Sequence, residues 1–219
     1  MLINGIVAIS RNRGIGVENK IPWNLPYDLK RFRKFTTGNG NNSIIMGKNT
    51  WDSIKFLKNR DHLILSRSTS LNYTTGGNLV KTFESIETVL KHCEERKYDE
   101  IWVIGGSQIY NLFIESGNMD YIYMTYIDDD YTCDTFFEQL PNTFFLIQKT
   151  QYMHEVTELG KNTYLLVYKQ AKRGMKVTYA NNIWTIETIH YDDFPNLYFT
   201  IKNSNGQEKQ TIKDRLNLI

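Results

Sequence analysis

Five short apolar runs, rich in β-branched residues, alternate with helical patterns between Ile3 and Ile127. The runs cover residues 3–9, 43–46, 62–65, 101–104 and 121–127. Near-continuous apolar runs of this length are what strands covered on both faces require. Helical patterns fall between them, at residues 27–35, from near Lys48, at residues 85–93 and, after Gly105-Gly106, at residues 108–113. Strands that alternate with helices predict an α/β fold, a mostly parallel central sheet flanked by helices. Residues 144–151 and 162–170 read as two more strands with no helix between them. They predict an antiparallel edge, which makes the sheet mixed.

Near Ala171-Lys172-Arg173-Gly174 the pattern changes. Beyond it come only short strand-like runs, at residues 176–179, 183–190, 197–202 and 208–212. Turn signals separate them: Asn181-Asn182, Asp192-Asp193-Phe194-Pro195 and Asn203-Ser204-Asn205-Gly206. Residues 1–171 and 175–219 are therefore expected to be separate domains, the second a small all-β module like an SH3 or Tudor barrel. A module of roughly 45 residues is near the lower limit for independent folding, so it is expected to pack on the main domain or on another chain. Trp184, Phe194, Tyr198 and Phe199 would form a mini-core or part of an aromatic binding surface. Either a stabilising, self-associating appendage or a peptide-binding module fits. The module's basic and acidic residues balance, which argues against nucleic acid.

Charge and composition exclude several classes. A net charge of +2 on 219 residues gives no basic surface for nucleic acid or an anionic membrane. The run Ile6-Val7-Ala8-Ile9, bounded by Gly5 and Ser10, is too short for a signal-peptide core or a membrane span. Cys93 and Cys133 lack metal-ligand spacing, as do His62, His92, His154 and His190, which read as structural or surface residues. No metal is expected, and the protein reads as soluble and intracellular, in the cytoplasm or a comparable reducing compartment.

The stretch from Pro22 to Phe35 carries the first chemical signal. At helical spacing Asp28 shares a face with Phe32 and Phe35, while Lys30, Arg31, Arg33 and Lys34 fall mostly on other faces. An acid in the first turn of a helix is often there only to face the positive end of the helix dipole. An acid on an apolar face, with no base on that face within a turn, instead needs a partner, and a ligand with hydrogen-bond donors is one.

Three strand ends carry a second signal. Gly105-Gly106 follows an apolar run and opens a helix, which lets backbone approach a phosphate closely. Met46-Gly47-Lys48-Asn49-Thr50-Trp51 adds an ammonium and a hydroxyl at another such junction. Leu65-Ser66-Arg67-Ser68 adds a guanidinium and hydroxyls, which suit a phosphate monoester. Each alone reads as a solvated turn. Together they suggest a dinucleotide with an extra phosphate, NADPH rather than NADH.

At this point residues 1 to about 170 resemble the dihydrofolate reductase family. The matching stretches are Gly5 to Ile9, Gly14-Ile15-Gly16 with Ile21-Pro22-Trp23, Leu25 to Leu29, and Met46 to Trp51. They continue with Leu65-Ser66-Arg67, Trp102 to Tyr110 and Asp134-Thr135-Phe136-Phe137, in the family's order. The resemblance implies NADPH-dependent reduction of dihydrofolate, binding of antifolates such as methotrexate, and a role for each matching position. Asp28 would accept hydrogen bonds from the pterin, with Thr125 bonded to it directly or through water. Ile6, Val7, Ala8, Phe32, Ile54, Leu57 and Ile104 would line the substrate pocket. Arg60 would hold the α-carboxylate of the glutamate tail. Ile15, Gly16, Ile21 and Trp23 would belong to a mobile loop over the nicotinamide, with Ala8 and Tyr110 beside that ring. Lys48, Ser66 and Arg67 would hold the 2′-phosphate. Thr50 with Gly105, Gly106, Ser107, Gln108 and Ile109 would hold the pyrophosphate, and Gly47, Asn49 and Leu65 would complete the cofactor wall.

The sequence departs from the family between Lys55 and Arg60, where the usual proline and glycine are missing and the stretch is one residue shorter than in bacterial forms. Trp102, Tyr121 and Tyr123 lie inside strand runs and read as core. Two rivals remain. One is another pterin or pyrimidine reductase of the same fold, although a carboxylate at position 28 suits a pterin better. The other is a protein that has lost turnover and acts as a scaffold through its C-terminal module.

Overall fold

The computed structural model describes residues 1–54, 56–157, 160–191 and 197–219, with the backbone alone at 153–156. Lys55, the side chain of His154, and the turn at Asp192, Asp193, Phe194 and Pro195 lie outside the described residues. Packing divides the chain into two units. The first is Met1–Glu138 with Lys149–Val167, and the second is Gln139–Gln148 with Tyr168–Ile219.

In chain order the elements of the first unit are β1 (Leu2–Ser10), β2 (Gly14–Gly16), α1 (Pro26–Thr37), β3 (Ser43–Gly47), α2 (Lys48–Ser53), β4 (Asp61–Leu65), β5 (Asn72–Thr75), β6 (Asn78–Phe83), α3 (Ile86–Arg96), β7 (Glu100–Val103), α4 (Ser107–Glu115), β8 (Tyr121–Ile127) and β9 (Thr135–Phe136). Then β10 (Phe144–Val156) and β11 (Asn162–Gln170) run through both units. Nine strands form one sheet in the order β10-β11-β8-β1-β7-β3-β4-β6-β5. Strand β1 pairs in parallel with β7 and β8, β3 with β4 and β7, and β4 with β6. Five residues join β10 to β11, too few for a parallel crossover, so this edge is antiparallel.

The apolar runs are continuous because their strands are covered on both faces: Ile44, Ile45, Met46, Leu63 and Ile64 are fully buried. On one face Phe35 of α1 stacks on Trp102 at 5.8 Å and meets Tyr123 edge-on, as expected of core aromatics. Helix α1 starts with Pro26, whose missing N–H is no loss in the first turn. Helix α3 starts with a reciprocal capping box between Ser85 and Thr88. No helix among the described residues is long and apolar enough to cross a membrane.

The hairpin β5–β6 is absent from the sequence expectations. Asn72–Thr75 is exposed throughout and has no apolar face to show. The signal lies in the Gly76-Gly77 turn, where both residues have positive φ (+53° and +80°).

The second unit adds β12 (Lys176–Tyr179), β13 (Asn182–His190), β14 (Tyr198–Lys202), β15 (Glu208–Ile212), a single 3₁₀ turn at Lys213–Arg215 and β16 (Asn217–Leu218). They form an antiparallel five-stranded sheet in the order β15-β14-β13-β12-β16. The first hairpin turns at Ala180-Asn181, both at positive φ, one residue earlier than Asn181-Asn182. The unit's core is Phe145, Ala171, Val177, Ile186, Phe199, Ile201 and Leu216, with Trp184 packed on it. Tyr198 is outside that core and stacks on His190 at 4.2 Å, because neighbours along a strand point to opposite faces.

Candidate active site

A cleft of about 2130 Å³ opens in the first unit, where β3, β4 and β7 end. Ligands of open α/β sheets sit at the carboxyl ends of strands. The volume exceeds the roughly 300–1,000 Å³ typical for one small ligand, so two molecules can lie in it together. Nearly every residue expected at the site lies on its wall. From β1 come Ile6, Val7 and Ala8. Helix α1 gives Asp28 and Phe32, and the segment from β3 to β4 gives Gly47, Lys48, Asn49, Thr50, Ile54, Leu57 and Arg60. Leu65, Ser66 and Arg67 follow β4, while Ile104, Gly106, Ser107, Gln108, Ile109 and Tyr110 follow β7. Ile15, Gly16, Ile21 and Trp23 complete the wall from the first loop.

Two expected residues are not on the wall. Thr125 of β8 stands behind Asp28 and donates to its Oδ1 at 2.6 Å, a direct bond. Gly105 lies just beneath the surface, where its carbonyl accepts from the Gly47 N–H at 2.8 Å.

The expectation that no base shares the Asp28 face is wrong. Arg31 Nη2 donates to Asp28 Oδ1 at 2.9 Å, and the guanidinium is nearly buried, its side chain 9% exposed. Residues three apart are neighbours across one helical turn, and an arginine stem is long enough to curl back. The carboxylate therefore has a partner within its own helix, and a ligand would add to that partner rather than supply it.

Arg60 has the opposite setting. It is 3% exposed and bonds the Lys58 carbonyl at 3.2 Å and the Thr36 hydroxyl. Among the described residues no carboxylate faces it, and burial lowers its pKa to about 10, with nearby Arg33 adding to the effect. A buried guanidinium in that state is poised for an anion. Lys48, by contrast, is bonded to Asp52 one turn along α2. The Ser66 hydroxyl accepts from the Ser68 N–H at 3.3 Å, which holds the strand end beside Arg67.

The glycine junctions are tight. Gly105 has φ +105°, and a Cβ there would come within 2.9 Å of the Tyr110 ring. A Cβ on Gly47 would come within 3.0 Å of Ile109. Tyr110 is buried, donates to the Ile6 carbonyl at 2.6 Å, and has its phenol pKa pushed far up by desolvation. Helix α4 begins without a side-chain cap, and Gly106, Ser107 and Gln108 at its start line the cleft.

The loop carrying Ile21 and Trp23 is anchored at its base. Strand β2 pairs with β9, and Asp134 Oδ2 accepts from the Glu18 N–H at 2.7 Å. That bond, with one from the Thr135 hydroxyl, holds the Asp134 carboxyl below its ordinary pKa. Ile21 is 60% exposed.

Other wall residues went unforeseen. Leu29, Arg33, Phe56 and Lys58 border the Arg60 end, and Glu84, Ser85 and Ile86 follow β6. The second group went with the strand that sequence reading missed. Asp134, Thr135 and Phe136, which in the sequence stand out only as part of the matching motif, also line the cleft. His62 lies behind the wall, fully buried between Phe56 and Trp51, with its pKa lowered to about 4 chiefly by desolvation.

The comparisons with known proteins agree with this geometry. A family model for dihydrofolate reductase matches residues 2–173. The chain is 35% identical over 177 residues to the dihydrofolate reductase of Buchnera aphidicola subsp. Baizongia pistaciae, covering 79% of this chain and 99% of that protein. It is 31% identical over 179 residues to the enzyme of Heliothis virescens, covering 77% and 97%. For Aedes albopictus the identity is 32% over 155 residues, covering 65% and 82%. With a match over most of its length and a cleft lined by the matching residues, the chain belongs to the dihydrofolate reductase family.

Proposed function

We propose that Asp28 organises the reaction of this chain, from the inner end of the cleft. The reaction is the NADPH-dependent reduction of 7,8-dihydrofolate to 5,6,7,8-tetrahydrofolate, the carrier for thymidylate and purine synthesis. Residues 1–171 form the catalytic domain in this reading. The single observation that carries it is Asp28, bonded from behind by Thr125, sharing one cleft wall with Gly106 of the glycine pair.

The ionised carboxylate accepts from the pterin 2-amino group and N3–H, an edge that offers only donors there. Thr125 supports it from behind. Phe32 and Ile54 enclose the aminobenzoyl ring, with Leu57 beside it, and Arg60 pairs with the α-carboxylate of the glutamate tail. Ile6, Val7, Ala8 and Ile104 form the floor. The far half of the wall suits NADPH. Gly47 and Gly106 let it approach the protein backbone closely, the uncapped start of α4 and Thr50 face the pyrophosphate, and Lys48, Ser66 and Arg67 face the 2′-phosphate. Lys48 exchanges Asp52 for that phosphate. When bound, the cofactor supplies hydride to C6 of the pterin.

The chain's own contribution is orientation and exclusion of water. Ile21 and Trp23, on their anchored loop, close over the reacting centre, and Tyr110 closes it from below. A carboxylate engaged at N3 cannot also reach N5, so the N5 proton arrives through water. Antifolates with a diaminopyrimidine edge compete for Asp28.

Residues 175–219 we read as an SH3-like barrel. Their meander, closed by a 3₁₀ turn and a last strand that pairs with the first, supports this. Such a module would bind a peptide or a second copy of the chain, inside the cell. NADPH oxidation on adding dihydrofolate tests the reductase. A purified wild-type protein that binds both ligands without turnover would instead support the scaffold reading.

A further inference from the structure

Arg31 is absent from the cleft wall, yet it is bonded to Asp28, which lies on that wall. Its Nη2 donates to Asp28 Oδ1 at 2.9 Å and approaches Thr125 Oγ1 at 3.1 Å. Thr125 Oγ1 donates to the same Oδ1 at 2.6 Å. Guanidinium, hydroxyl and carboxylate oxygen thus close a ring that joins α1 to β8. A third element packs on the guanidinium: its carbon lies 4.2 Å over the centre of the Tyr152 ring in β10. The side chains of Arg31 and Asp28 are 9% and 20% exposed, so water screens the pair weakly.

We infer that Arg31 is a positioning residue, which holds the Asp28 carboxylate in the orientation that meets the pterin. A hydroxyl alone rotates freely, whereas a planar, charged fork held over an aromatic ring and bonded to both partners is far more constrained. Two donors converge on Oδ1 and fix the plane of the carboxylate before any substrate arrives. The charge also offsets the cost of keeping an anion in an apolar cleft before binding. The proposal rests on the reading that Asp28 grips the pterin, and it extends that grip through Arg31 to Tyr152 on the edge strand.

The test is a double-mutant cycle read by ligand binding in the full chain, since turnover would vanish with Asp28. Dissociation constants for folate and NADPH are measured for wild type, Arg31→Leu, Asp28→Asn and the double variant. Arg31→Leu is expected to weaken folate binding about tenfold, the usual scale for one hydrogen bond to a charged group, and to leave NADPH binding within about twofold. In the Asp28→Asn background the same change is expected to have no effect, because there is no anion left to position. Arg31→Lys keeps the charge and is expected to recover part of the loss. Equal loss of folate binding in both backgrounds, parallel loss of NADPH binding, or no loss at all overturns the proposal. If Asp28→Asn itself leaves folate binding unchanged, the Asp28 reading fails instead, and the two failures are distinct. If Arg31→Leu does not fold, Arg31→Gln, which is shorter and uncharged but keeps an amide donor, enters the same cycle with the same criteria.

Discussion

Replacing Arg60 by Met should move binding and stability in opposite directions. The guanidinium is 3% exposed and faces no carboxylate among the described residues. Its pKa falls from 12.5 to about 10 because burial penalises the charge. At about 1.4 kcal/mol per pKa unit, the ligand-free fold bears a cost of roughly 3 kcal/mol for holding this cation. Removing it relieves that cost but also loses the bonds to the Lys58 carbonyl and the Thr36 hydroxyl, worth about 1 kcal/mol each. The Thr36 hydroxyl keeps its own bond to the Phe32 carbonyl at 2.7 Å, and Lys58 is exposed enough for water to replace the lost donor. The ligand-free Arg60→Met protein should therefore be more stable than wild type by about 1 kcal/mol, as seen when buried ions are replaced by apolar groups of similar size.

The folded-state pKa is the lower one, so the cost is fully present below about 10. It fades only as pH rises from there toward the unfolded value, so the variant's advantage should be constant through neutral pH. Binding goes the other way. Losing a bidentate pair to the glutamate α-carboxylate removes two charge-assisted hydrogen bonds, about 3 kcal/mol together, and should raise KM for dihydrofolate roughly a hundredfold. Urea unfolding without ligand measures the first effect, and initial rates of NADPH oxidation measure the second. A variant that loses several kcal/mol of stability while keeping its KM would refute the reasoning, for Arg60 would then be a structural residue.

Three further outcomes follow from the geometry. His62 titrates near 4 in the fold against 6.5 in the unfolded chain, so stability should fall by up to about 3 kcal/mol as pH drops through that window; acid unfolding of His62→Gln should lack this component. A methyl group at Gly105 meets the Tyr110 ring at 2.9 Å in a backbone region that disfavours side chains, so Gly105→Ala should cost about 1–3 kcal/mol in urea unfolding and weaken NADPH binding more than folate binding. Ending the chain at Lys172 strips Phe145, 6% exposed, and Ala171, 2% exposed, of the core they share with Val177, Ile186 and Phe199. The shortened protein should aggregate or melt several degrees lower, which light scattering and a thermal scan would show.

Much of the fold was legible because the central strands are covered on both faces. Ile44 to Met46 and Leu63 to Leu65 have no solvent side on which a polar residue could interrupt the apolar run. Where one face is open the signal vanishes. Strand β5 shows only exposed residues, and its partner β6, read as Asn-Leu-Val-Lys-Thr-Phe, alternates too weakly to stand out. That miss hid Glu84 to Ile86 on the cleft wall. The cleft was legible where chemistry is rare in sequence: a glycine pair after an apolar strand, or an acid on a helix face. It was less legible where a facing direction had to be assigned. Arg31 lies three residues past Asp28, one turn along the same side of α1, so spacing allows their contact, but spacing alone does not say whether the long side chain turns to the acid or to solvent. The second unit showed the same limit. Tyr198 and Phe199 are both aromatic, and only the register of β14 decides which of them faces the core.

Substitution of Asp28 by Asn tests the central claim most directly. The amide is nearly isosteric and keeps contact with Thr125, but it places a donor where the pterin edge offers only donors. With dihydrofolate and NADPH, kcat/KM should fall by about a thousandfold, or about 4 kcal/mol of transition-state stabilisation, while the NADPH dissociation constant stays within about twofold. Turnover within a few-fold of wild type would contradict the account, because the reaction would then not be organised around that carboxylate.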